Sequence, residues 1–169
     1  MNECILRFTF HAGSADVEVE HTFVWKEDPK PYAIKGFGLR LPMRGLSAAL
    51  APAAAGAEAT QRPLPWTVRQ DDDKSYVLGA EKRSGRWPGW VEAAGKPASV
   101  SVFMGDFWQQ CPAGMRVDEA GVELQFQPTE SAPLPLHAPK DKYAYFGASE
   151  TGVAKTHRAA LSFRAQPLA

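Results

Sequence analysis

Cysteine is scarce in this chain. Only Cys4 and Cys111 occur among 169 residues, too few for a disulfide framework; they read as two separate thiols, or as one bridge if the protein is exported, and a hydrophobic core must hold the fold. An excess of charge is also missing. Lys+Arg and Asp+Glu number 19 each, for a formal net charge of zero, which removes the electrostatic case for nucleic acid or an anionic membrane as partner. An acidic sugar stays open, because one local positive cluster can hold a carboxylate. No apolar run approaches the roughly 20 residues of a membrane span. The opening Met1-Asn2-Glu3 leads almost directly into a strand-like run, with no basic and apolar leader before it. It fits a cytosolic start or an internal boundary of a longer polypeptide, and the compartment, exported or cytoplasmic, stays open.

Catalytic signatures are missing as well. The chain has no P-loop, no dinucleotide glycine fingerprint, no His-Glu-x-x-His, no Cys-x-x-Cys and no serine in a nucleophile elbow. Its histidines, His11, His21, His137 and His157, show no metal-ligand spacing. Nothing calls for an organic cofactor. A divalent cation has one thin candidate, Asp71-Asp72-Asp73, but no Gly-Glu loop pattern follows it and a solvated hairpin tip explains it better.

What the chain does have is period-two alternation, repeated in segment after segment. Cys4, Leu6, Phe8 and Phe10 share one face of the first run, opposite Glu3, Arg7 and Thr9. Val17, Val19, His21, Phe23 and Trp25 alternate with Glu18, Glu20, Thr22 and Lys26. Phe37, Leu39 and Leu41 follow, then Val100, Val102 and Met104, then Val122, Leu124 and Phe126, and a last strand from about Val153 to Arg164. Half-buried strands of this kind predict an all-β, single-domain antiparallel sandwich, ordinary or supersandwich-like, spanning 1–169. Ser14-Ala15-Asp16, Asp28-Pro29-Lys30-Pro31 and Asp71–Lys74 read as turns. The alanine-rich stretch 46–60, broken by Pro52 and Gly56, reads as a surface insertion, either a short helix or an irregular excursion. The proline-rich stretch 128–139 reads as an extended loop.

Three features carry candidate chemistry. Gly85-Arg86-Trp87-Pro88-Gly89-Trp90 sets two indoles and a guanidinium in one loop. Indole faces stack on sugar rings and arginine clamps carboxylates, although the same tryptophans could simply plug the end of a sandwich. Asp106-Phe107-Trp108-Gln109-Gln110-Cys111-Pro112 reads as a structural corner, with Trp108 and Gln109 at its centre. In the last strand, Lys155 and His157 point to the side of Leu161 and Phe163. The lysine charge disfavours an imidazolium, leaving His157 neutral and able to accept a proton near pH 7, or else merely a packed histidine.

Taken together, Glu20-His21-Thr22-Phe23, Phe37-Gly38-Leu39-Arg40-Leu41-Pro42, Asp106-Phe107-Trp108-Gln109-Gln110 and Lys155-Thr156-His157 resemble the central β-sandwich of the exo-rhamnogalacturonan lyase (YetA-like) family, over about Cys4 to Phe163. Cys111 stands where that family usually carries an aromatic residue, and Arg158 where an acidic residue often follows the Lys-Thr-His triplet. The resemblance implies flanking β-barrel and α/α-toroid domains, and β-elimination on a galacturonate of an acidic, pectin-type polysaccharide. His157 and Lys155 would then be base and carboxylate partner, with Arg86, Trp87 and Trp90 as substrate contacts. Tyr143 and Tyr145 would join them if the proline-rich loop folds back. No helical stretch here can build a toroid, so the chain by itself is expected to be inactive or nearly so. The alternatives are a non-catalytic carbohydrate-binding sandwich and a purely structural interdomain module.

Overall fold

A computed structural model describes residues 2–27, 33–52, 54, 56–135 and 154–165. Within them the chain is all strand and turn, arranged as two antiparallel sheets packed face to face. The alternating segments become β1 (Glu3–Phe10), β2 (Asp16–Val24), β3 (Ala33–Ile34), β4 (Phe37–Pro42), β5 (Leu46–Pro52), β6 (Ala59–Arg62), β7 (Trp66–Gln70), β8 (Ser75–Leu78) and β9 (Glu81–Ser84). They continue as β10 (Trp90–Gly95), β11 (Ser99–Met104), β12 (Ala113–Asp118), β13 (Gly121–Gln127), β14 (Leu134–Pro135) and β15 (Ala154–Arg164). One sheet has seven strands in the order β1-β2-β15-β11-β10-β5-β6, and the facing sheet has six in the order β4-β13-β12-β7-β8-β9. Short strands β14 and β3 pair separately.

The alternation decides which side chains meet between the sheets. Val91, Val100, Val102 and Leu161 of the larger sheet pack with Val68, Met115, Val117 and Leu124 of the smaller one. Successive side chains on a strand point to opposite faces, so a single apolar parity on each strand is enough to build this layer.

The stretch 46–60 corrects the expectation of a surface insertion. It forms β5 and the start of β6, with β5 paired to β10 on its other side. Ala49 and Ala51 are 0% exposed and belong to the core. Alanine is a weak strand former in isolation, but its small side chain lets a strand approach the opposite layer closely, and tertiary packing overrides propensity. In the 128–139 stretch, the described part holds a turn, in which Ser131 N–H donates to Pro128 O (3.2 Å), and then β14.

Because the chain passes repeatedly from one sheet to the other, its crossovers must satisfy buried backbone groups. The crossover from β9 to β10 does so through Gln70, 0% exposed at the inward end of β7. Its Oε1 accepts from Trp87 N–H at 2.7 Å, and its Nε2 donates to Asp72 O at 2.9 Å and Gly85 O at 3.1 Å. Two residues on, Gly89 takes φ +81°, and a Cβ there would lie 2.7 Å from Met104 O and 2.8 Å from Phe107 Cβ. Glycine is what allows β10 to begin so close to the end of β11.

Replacing Gln70 by Ala strips the partner from the buried Trp87 N–H and from two part-buried carbonyls, of Asp72 and Gly85. It is expected to lower unfolding free energy by about 2–4 kcal/mol in urea titrations, whereas Gln61→Ala on exposed β6 should stay within about 0.5 kcal/mol.

Candidate functional site

The segments singled out in the sequence converge at one end of the sandwich. After β11 the chain turns through 105–112 into β12 of the other sheet. Gly105 N–H donates to Arg158 O (2.8 Å), tying this corner to β15, and Gln110 N–H donates to Asp106 O (2.8 Å). Asp106 sits at φ 53°, a left-handed conformation that aspartate tolerates better than most residues. Phe107 is 2% exposed and plugs the core. Trp108 is half-buried beside it, and Gln109 is exposed.

Arg86 joins this corner to the β7–β8 hairpin. Its guanidinium carbon lies 3.9 Å from the centre of the Trp108 ring. Its Nε donates to Asp73 O (3.0 Å), and its Nη2 lies 3.6 Å from the Asp73 carboxylate. The Asp71–Asp73 run is indeed the tip of that hairpin. Asp72 accepts from Lys74 N–H (2.8 Å) and Ser75 N–H (2.7 Å), and these backbone donors hold its carboxyl below the usual range. Asp71 accepts from Ser131 Oγ and Arg69 Nε. No group of three metal-binding side chains occurs among the described residues.

Trp87 corrects the expectation of a substrate contact. It is 0% exposed, packed on Trp66 (5.9 Å between centroids) and Tyr76 (5.5 Å), so neither face of its indole is open to a sugar. For Trp87 it is the alternative reading, a tryptophan packed into the end of the sandwich, that the structure bears out.

Lys155 and His157 do share the inward face of β15. Lys155 is half-buried and forms no hydrogen bond or ion pair with a described residue. Burial pushes its amine below the ordinary value, with the Cys111 thiol acting in the other direction. Burial pushes the Cys111 thiol itself up, and Asp72 and Asp73 add to that. His157 lies deeper, 2% exposed, stacked on Phe126 at 4.3 Å and facing Phe37 edge-on at 5.7 Å. It sits opposite His21 in the β15–β2 register, 5.8 Å between ring centres. His21 in turn stacks on Phe126 at 4.8 Å and shares a hydrogen bond with the Cys4 thiol (3.1 Å). Both ring nitrogens of His157 lack partners. Desolvation first, then the charges of Lys155 and His21, lower its pKa to about 3. The imidazole is neutral, as the neighbouring lysine led one to expect, but it does not accept a proton near pH 7.

A second arrangement lies on the outward face of the seven-stranded sheet. Trp90 pairs with Phe103, Phe103 with Ala160, and one row along, Ser101 pairs with Ser162 and Ser162 with Asp16. These residues line a shallow depression of about 310 Å³. Trp90 is half-buried, and Phe103 is 49% exposed. Asp16 is kept below the usual carboxyl range chiefly by hydrogen bonds from Ser162 and Ser14. Beside it, Glu92 is 0% exposed and accepts from Ser101 Oγ (3.3 Å), with Arg164 Nη1 3.6 Å away. Sequence reasoning named Trp90 but none of its neighbours here. They come from separate strands, and only the order β10-β11-β15-β2 joins them.

The structure thus brings Arg86, Trp108 and the aspartate tip together, and keeps Trp90 apart from them on the sheet face. Tyr143 and Tyr145 lie outside the described residues. No protein-family model matches the chain, and no curated protein does so either.

The buried histidine makes stability depend on pH. His157 binds no proton in the folded state until about pH 3, but in the unfolded chain it titrates near 6.5. The stability His157 contributes is therefore full above pH 6.5 and falls as pH drops below it, by about 2 kcal/mol between pH 7 and 5, and His21, whose pKa burial also lowers, adds to the loss. His157→Phe should remove most of that loss when urea unfolding is compared at the two pH values; an unchanged loss would refute the assignment to this residue.

Proposed function

We propose that this chain is a non-catalytic carbohydrate-binding sandwich, a module of a protein acting on pectin-type polysaccharide. The observation that carries it is the depression on the outward face, where Trp90 and Phe103 stand beside Ser101, Ser162 and Asp16. A pyranose ring has an apolar face of C–H groups and an edge of hydroxyls. Aromatic side chains suit the first, and the hollow itself is almost wholly apolar, with Ser101, Ser162 and Asp16 at its border engaged with one another, Glu92 and Arg164.

Two further observations favour binding over catalysis. β-Elimination needs a base touching the ring proton beside the uronate carboxylate. His157, the expected base, is packed between the sheets and depressed to about 3. The charge at the depression also matters. Asp16 borders it, and Glu18 lies across from Ala160 on the same face; Arg164, which donates to Ser101 Oγ (3.2 Å), is engaged by Glu92 at 3.6 Å, so acidic groups outnumber the one cation a uronate would meet. The hollow is suited to an uncharged ring of the polymer.

Tryptophan fluorescence titrated with neutral oligosaccharides should respond and saturate, and Trp90→Ala or Phe103→Ala should weaken binding at least about ten-fold, equivalent to roughly 1.4 kcal/mol. Incubation with rhamnogalacturonan should give no ultraviolet absorbance from unsaturated uronate. Sustained turnover by the chain alone, or undiminished binding by Trp90→Ala, would overturn the proposal.

A further inference from the structure

The outer strand β1 ends the seven-stranded sheet without the usual protection. It is eight residues long, contains no proline, and pairs with β2 in unbroken register from Glu3↔Val24 to Phe10↔Val17. Its far side pairs with no described strand. The opposite end of that sheet closes on β6, only four residues long. Natural sheets guard such edges with short strands, prolines, bulges or inward-pointing charges, because open N–H and C=O groups recruit another strand.

The inward face of β1 is also only partly covered. Leu6 is 42% exposed, Phe8 49% and Phe10 72%. The smaller sheet covers them only in part, and a cavity of about 90 Å³ separates Phe8 from Leu39 and Leu41 of β4 and Val122 and Leu124 of β13. Contiguous exposed apolar side chains on an open edge mark an interaction surface.

We infer that β1 is a self-association edge, on which a second copy of this chain lays its own β1 antiparallel, joining two seven-stranded sheets into one. The pattern of the strand selects both the partner and the register. A two-fold axis through the sheet pairs only residues of the same face, so the registers with greatest overlap centre on Leu6 or on Arg7. Centring on Arg7 sets two guanidinium groups directly opposite, which is unfavourable. Centring on Leu6 sets Leu6 against Leu6, Cys4 against Phe8, Ile5 against Arg7 and Glu3 against Thr9. It also places each Glu3, which pairs with Lys26 in its own chain, diagonal to the second copy's Arg7, which lies 3.9 Å from its own Glu20, so the charges of the two copies extend existing pairs rather than oppose. The strand is thus matched to itself in apolar face and in charge.

Sedimentation equilibrium of the chain should show, with rising concentration, a shift from 18.4 kDa toward twice that mass, mostly dimer at roughly 100 μM for a micromolar Kd. Phe8→Lys should raise Kd at least about ten-fold. Register is tested independently of that variant. In a background of Cys4→Ser and Cys111→Ser, mild oxidation should link Leu6→Cys into a covalent dimer and leave Phe10→Cys unlinked, since opposed strand residues fall within disulfide reach. A monomer at all concentrations, which would point to a different occupant for this edge, overturns the inference. So does linkage through Phe10→Cys in preference to Leu6→Cys.

Discussion

A sandwich whose strands trade repeatedly between two sheets must bury peptide groups where the chain changes layer, and the side-chain amide of Gln70 meets that constraint at the crossover from β9 to β10. Its three hydrogen bonds bind the end of β7, the hairpin tip and the segment before β10. They turn the indole of Trp87 into the core, and the short path through Gly89 then starts β10 with Trp90 on the outward face. The aromatic wall of the proposed binding hollow therefore rests on a buried amide in the other sheet. A buried polar group with all its partners present specifies one arrangement, because any alternative leaves donors or acceptors unpaired.

Much of the fold was legible because strand parity is written into side-chain chemistry. The faces of β1, β2, β4, β11, β13 and β15 follow directly from the alternation of apolar and polar residues. Leu46–Pro52 was not legible, since alanine carries a weak strand signal and its run mimics a helix or a loop. Nor did the pattern on β1 show that its apolar face would remain exposed, which depends on where the facing sheet ends. Strand order was the larger gap. Ser101, Ser162 and Asp16 are unremarkable in sequence, and they become neighbours only through pairings between distant segments. Lys155 and His157 were located on the correct face, but the depth of the histidine was set by Phe126 and Phe37 from the other sheet.

The neutral histidines show how burial alone can redirect a residue type usually associated with acid–base work. His21 and His157 are flat, polarisable groups that stack with Phe126 as aromatic packing. Lys155, at the margin of the same cluster, keeps a positive charge nearby and further disfavours protonation of His157. The end of the sandwich is in this sense organised around ring stacking and one cation over Trp108, while the aromatic side chains suited to a sugar stand on the sheet face.

The placement of β1, β2 and β15 has a mechanical consequence. β1 and β15 both run antiparallel to β2 and flank it, so they run parallel to each other. Tension applied between Asn2 and Ala165 would pull β1 and β15 in opposite directions along their axes, with β2 held between them. The two ladders are then loaded in shear, so that their hydrogen bonds share the force and must yield together rather than unzip one by one. Resistance to stretching along this axis is governed by the rate of that concerted rupture, and the chain should withstand pulling far better in this direction than across the sheet.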